Sequence, residues 1–134
     1  MRKFLVAALA LGLTGCGTFG FMSGPPAVFV VFFPDHSTAL TADGQKIVGD
    51  VATAAKMHGG ETIQLTGPST KVAPGYDPSF AEPRIHAVEA ALIADGIAQS
   101  RLQRTSETTD GINVKSDPSG AQRVEIRLVD RPAP

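Results

Sequence analysis

The sequence predicts an α/β (α+β) domain, a two-layer sandwich with two helices on one face of a mixed sheet of about four strands, in the order β-α-β-α-β-β. Three observations carry this reading. Short apolar or alternating runs fall at 27–33, 62–66 and 124–128, and such runs are strand signals. Two longer stretches, 42–57 and one beginning within 79–83, repeat apolar residues at helical spacing. The two kinds alternate along the chain, which implies at least one parallel crossover with the helices laid on a sheet. With 134 residues the chain is long enough for one small domain.

Ala27 to Phe33 is a continuous apolar run rich in Val and Phe, ended by Pro34. It predicts a strand buried on both faces, in a central position. Pro34-Asp35-His36-Ser37 reads as a turn. Thr41 is a candidate N-cap, with Asp43 in the first turn against the helix dipole. Ile47, Val48, Val51, Ala52 and Ala55 form the apolar stripe of the first helix, and Gly59-Gly60 stops it. Ile63 and Leu65 alternate with Thr62, Gln64 and Thr66, giving a second strand.

Gly67 to Pro78 is a loop with three prolines and two glycines. For the second helix, Ser79 and Glu82 have capping-box spacing, while Pro83 suits a first helical position. Those two signals place its start a few residues apart. Ile85, Val88, Leu92 and Ala81 form its buried stripe, with Val88 and Leu92 expected to meet Ile63, and Asp95-Gly96 ends it. Residues 101–106 are a weak third strand, and 108–120 are polar and turn-rich. Val124 to Leu128 alternates cleanly, so the last strand is expected to turn Glu125 and Arg127 to water.

The N-terminus is of another kind. Arg2 and Lys3 precede a run of ten apolar or glycine residues, Phe4 to Leu13. As a helix that run is roughly 15 Å long, about half of what a bilayer core requires. It reads as the core of a signal peptide. Leu13-Thr14-Gly15-Cys16 resembles the bacterial lipobox, with small residues leading to the chain's single cysteine. The expected organisation is a signal peptide at 1–15, a lipidated Cys16 with a tether at 16–26, and a domain at 27–131. Acyl chains (palmitate) on Cys16 would anchor the protein to a membrane. The absence of Asp after Cys16 resembles an outer-membrane address, with the domain facing the periplasm.

Of the 12 basic residues, Arg2 and Lys3 leave with the signal peptide, so ten face 13 acidic ones. No basic patch remains, which argues against nucleic acid as a partner. No phosphate loop, nucleophile elbow or catalytic dyad is present, so no enzyme, cofactor or metal is expected. His86 and Glu89, three apart on the second helix, are two potential ligands, too few for a site.

Three stretches together resemble OmpA-like, peptidoglycan-associating domains. VFFPDHSTALTADGQKIVGDVA at 31–52 is similar to that family's opening strand and helix. Tyr76-Asp77-Pro78-Ser79-Phe80-Ala81-Glu82-Pro83-Arg84-Ile85-His86-Ala87-Val88 is similar to its Tyr-Asn-x-x-Leu-Ser-x-x-Arg-Ala-x-x-Val. Gln122-Arg123-Val124-Glu125-Ile126 is similar to its closing Arg-Arg-Val-Glu-Ile. The resemblance implies a domain that binds peptide stems of peptidoglycan, with an Asp and an Arg holding the charged groups of the stem diamino acid.

The matching Arg is Arg84. The carboxylate position falls on Ser69 or Thr70, depending on the alignment, and both carry hydroxyls. Asp77, at the family's Asn, is a nearby anion or a turn residue before Pro78. A cation in the first turn of a helix opposes the dipole, which favours a functional role for Arg84; because a loop returning from the second strand must end where the second helix begins, Arg84 is expected at the mouth of the 67–79 loop, within reach of Ser69, Thr70 or Asp77. The implied function is an outer-membrane lipoprotein that binds peptidoglycan non-covalently. The alternative is a degenerate module that has lost that binding and docks an envelope protein partner.

Overall fold

The computed structural model describes residues 27–69, 73–105 and 118–130. The expected signal peptide, Cys16 and the expected tether lie outside the described residues, as do Thr70 and the 106–117 part of the polar segment. The described elements are β1 (Val28–Phe32), α1 (Ala42–Met57), β2 (Glu61–Thr66), α2 (Ala81–Ala94), β3 (Leu102–Thr105) and β4 (Arg123–Asp130). None of the described helices is long and apolar enough to cross a membrane.

α1 begins where its sequence says it should. Thr41 Oγ1 accepts from the Gly44 amide at 3.0 Å, and Asp43 stands in the first turn. Gly44 lies where α1 crosses β1, and a Cβ there would sit 3.2 Å from Val31 Cγ1. The far end of α1 is held from outside by Arg101, which donates to the carbonyls of Ala55, His58 and Glu61. These include carbonyls that a helix C-terminus leaves unpaired. α2 opens differently from either sequence signal. Asp77 Oδ1 accepts from the Ser79 amide at 2.9 Å, starting a 3-10 turn at Pro78–Phe80 that runs straight into the helix. Pro83 then falls at the third helical residue, where its missing N–H costs little. Gly96, at φ +92, takes the left-handed position after the helix that an L side chain rarely adopts.

The sheet is mixed, in the order β1-β4-β2-β3. β4 runs antiparallel to both β1 and β2, and β2 pairs parallel with β3 across the α2 crossover. Both helices contribute to one core: Val48, Val51 and Ala55 from α1, and Ile85, Val88 and Leu92 from α2, pack with Val31, Ile63, Leu65 and Ile126 of the sheet. The two-layer architecture therefore stands as expected.

Two expectations are corrected. β1 is an edge strand, with Val28 and Phe32 about half exposed. An apolar run reports that neither face carries charge, and it does not count hydrogen-bonded neighbours. The strand between β1 and β2 is β4, and its charged residues do not all face water: Arg123 and Glu125 are buried. Their pairing offsets part of the burial cost, while Arg123 Nη2 has no hydrogen-bond partner among the described residues. Arg123 Nε donates to Glu125 Oε1 at 3.2 Å, Arg123 Nη1 donates to Gly120 O at 2.6 Å, and Arg127 Nη2 reaches Glu125 Oε2 at 3.3 Å.

Candidate functional site

The site is built where the exit of β1 meets the entry of α2. Pro34 removes a backbone donor just past the strand, and Ser37 N closes a turn onto Pro34 O at 3.1 Å. Within that turn His36 takes φ 53, the one non-glycine residue in the left-handed region among those described. Such strain concentrates at functional turns. Asp35 Oδ1 accepts from the His36 amide at 3.1 Å and from Gln122 Nε2 at 3.2 Å. The His36 ring meets the edge of Phe80 at 5.9 Å.

Arg84 enters this turn from α2. Its residue exposure is 0%, so it is a buried cation and not a surface charge at a loop mouth. The guanidinium lies between two rings, 5.4 Å from the Phe33 centroid and 5.1 Å from that of Phe80. Nε donates to Ser37 O at 2.8 Å and Nη2 to Pro34 O at 3.3 Å. Nη1 is buried with no hydrogen-bond partner among the described residues. Burial pushes the guanidinium below its ordinary value, while the Tyr76 hydroxyl and the Asp35 carboxylate favour its charged form. Arginine stays protonated under any such shift of ordinary size.

The 67–77 loop closes beside it. The buried Tyr76 hydroxyl donates to Pro68 O, and Tyr76 packs with Ala73 and Ala121. Burial raises the phenol above its ordinary 10.0, with Arg84 and Arg123 pulling the other way.

The sequence-predicted site residues are thus placed unequally. Arg84 is at the centre. Its described hydrogen bonds go to Pro34 and Ser37, not to Ser69 or Asp77. Ser69 is exposed, and Thr70 lies outside the described residues. Asp77 is an exposed turn residue whose carboxyl is held below its ordinary value by the hydroxyl and amide of Ser79. Sequence reasoning missed Asp35, His36, Phe33 and Phe80 as neighbours of Arg84. The turn itself was visible in Pro34-Asp35-His36-Ser37, but nothing local ties it to a residue 47 positions downstream.

A second charged group sits on the outer side of α2. Arg104 of β3 bonds Glu89 Oε2 at 2.7 Å and Glu82 Oε2 at 3.3 Å, and reaches His86 Nδ1 at 3.4 Å. His86 and Glu89 thus share an arginine. Among the described residues no group of three or more His, Cys, Asp or Glu is placed to hold a metal ion.

No family model and no curated protein sequence matches the chain. Solved structures do. The OmpA-like domain of FopA1 from Francisella tularensis is 22% identical, over 78% of this chain and 75% of that one, with a TM-score of 0.58. The peptidoglycan-associated lipoprotein from Burkholderia pseudomallei is 20% identical, over 76% and 89%, with a TM-score of 0.55. The periplasmic domain of Helicobacter pylori MotB (residues 78–256) is 17% identical, over 80% and 78%, with a TM-score of 0.60.

Proposed function

We propose, from the OmpA-like fold that the chain shares with these structures, that it is a non-enzymatic cell-envelope protein that binds peptidoglycan non-covalently through Arg84. The observation that carries this is the unpaired Nη1 of a fully buried guanidinium. A buried donor left without an acceptor costs on the order of 1–3 kcal/mol, and a ligand carboxylate is the acceptor that recovers most, because the bond is charge-assisted. Because Nη1 is enclosed, the ligand reaches it by displacing what covers it. The name of one of the similar structures, a peptidoglycan-associated lipoprotein, agrees with this ligand.

We further propose that residues 1–15 are removed as a signal peptide, and that Cys16 carries the lipid holding the domain at the outer membrane, facing the periplasm. Residues 17–26 are then a tether of about ten residues, reaching at most about 35 Å.

A second reading is favoured by one specific observation. Arg84 already has a structural occupation, joining α2 to the β1 turn through two carbonyls and two rings. On that reading the ligand chemistry is lost and the domain docks an envelope protein. Co-sedimentation of the detergent-solubilised full chain with purified peptidoglycan separates the two. The first expects the protein in the pellet and release by a soluble stem peptide. Protein that stays in the supernatant at every concentration removes the first reading.

A further inference from the structure

We propose that the free side of β1 is an interface for a second copy of this chain: the two β1 strands pair antiparallel about a two-fold axis at Val30, joining two four-stranded sheets into one. This does not depend on the peptidoglycan reading.

The backbone decides which residues are available. Ala27 O accepts from Leu128 N, and Phe33 N donates to Gln122 O. The odd-numbered residues of this stretch thus turn their backbone groups toward β4, because bonded and non-bonded pairs alternate in an antiparallel ladder. Val28, Val30 and Phe32 point their N–H and C=O groups the other way, to a side where no described strand lies. Their side chains share the face opposite the core residue Val31. Among the described residues four large apolar side chains are exposed, and two of them, Val28 at 49% and Phe32 at 53%, end this row.

Proteins ordinarily blunt such an edge with a charge, a proline, a bulge or a very short strand. β3, the other described edge, is four residues long with Gln103 and Arg104 exposed. β1 has none of these devices. Its register with β4 is unbroken, and Val28-Phe29-Val30-Val31-Phe32 holds neither charge nor proline.

The row is also its own complement, which singles out a second copy as the occupant. A two-fold axis at Val30 sets Val30 opposite Val30 of the second copy, and Val28 opposite Phe32 in both directions, as an isologous contact requires. All these pairs are of the hydrogen-bonded kind and give about six inter-strand bonds. The half-exposed side chains at the two ends then cover each other as cross-strand neighbours. A slip of one residue would set the free groups against residues whose own are spent on β4, so the register is specified. On the helix side the same register lays Ala27 of the second copy beside Phe33. A groove of about 610 Å³ between Phe33, Gly44 and Ile47 leaves room there for an incoming strand.

The experiment reads that register by disulfide capture in intact cells expressing the full chain. Cysteines are introduced singly, a membrane-permeant oxidant is added, and species of twice the monomer mass are read on a non-reducing gel. Wild type, whose only cysteine is Cys16, gives the background. Val30→Cys should give a captured dimer, because the Cα atoms of a hydrogen-bonded pair lie about 5.5 Å apart, inside the roughly 4.4–6.8 Å that a disulfide spans. Val28→Cys alone and Phe32→Cys alone should stay at background, since each is offset from its own copy by about 13 Å along the strands. Co-expressed, those two variants should capture a mixed dimer. Adding Phe32→Lys to Val30→Cys should abolish capture, and the half-exposed position lets the fold survive the charge. The inference is overturned if Val30→Cys gives no dimer above wild type, or if Val28→Cys captures itself as well as Val30→Cys does. Capture of Val30→Cys onto a protein of another mass overturns it too, and makes β1 a docking strand for a different partner.

Discussion

Replacing Arg84 by Ala removes two hydrogen bonds and two ring contacts in one step. A surface arginine contributes little to stability, but this one is enclosed. Pro34 is exposed and Ser37 half-buried, so water can reach part of what is vacated. The expected loss is about 1–3 kcal/mol, read as a lower denaturation midpoint. Binding assays on that variant therefore need a stability check alongside them. Tyr76→Phe leaves the buried Pro68 carbonyl without its donor, for a loss of about 1–3 kcal/mol. It also changes the alkaline limb. A phenol that titrates higher when folded holds its proton more tightly in the native state. That contribution is complete below the unfolded value of 10.0 and is lost as pH rises through the folded one. Wild type should lose stability above about pH 10 more steeply than Tyr76→Phe in parallel denaturant titrations. At the rim, Ser69→Asp tests whether a carboxylate in the 67–77 loop strengthens peptidoglycan binding, with Thr70→Asp as the alternative position. Only one is expected to work.

Among the elements, α2 carries the helix-to-sheet contact most directly. Leu92 is fully buried in the shared core, and Leu92→Ala should cost about 2–5 kcal/mol by equilibrium unfolding. A loss of only a few tenths would mean that the helix does not pack there. In β4, Glu125→Ala strands the buried Arg123 and should cost about 3–5 kcal/mol, where an exposed strand carboxylate would cost almost nothing. The helices were legible because their determinants are local: Thr41, the stripe Val48-Val51-Ala55, and Gly96. The strands were legible as strands but not as neighbours. Pairings such as Val31 with Val124 leave no mark on either segment's own pattern. The same holds at the site. Arg84 was identifiable by its place in a motif, but its burial depends on Phe33 and Phe80 closing over it from two directions, and its acceptors are backbone carbonyls that no side-chain pattern encodes.

For the molecule as a whole, the proposed anchor places a small folded domain close to a membrane on a short tether. Cys16→Ser should leave the precursor uncleaved by the lipoprotein peptidase and unacylated, and mass spectrometry of the membrane fraction reads both. Detection of the normal acylated form from that variant would remove the lipoprotein assignment. The sheet carries a different consequence. β1, the first strand described, has β4, the last, as its strand neighbour, with Val28 opposite Arg127. A polypeptide that emerges N-terminus first, from a ribosome or a translocation channel, therefore presents Val28-Phe29-Val30-Val31-Phe32 long before its mate arrives. Closing so wide a sequence separation is the slow kind of folding step. Until β4 emerges, that greasy ribbon lacks its pairing partner, which makes it a segment for a chaperone to cover.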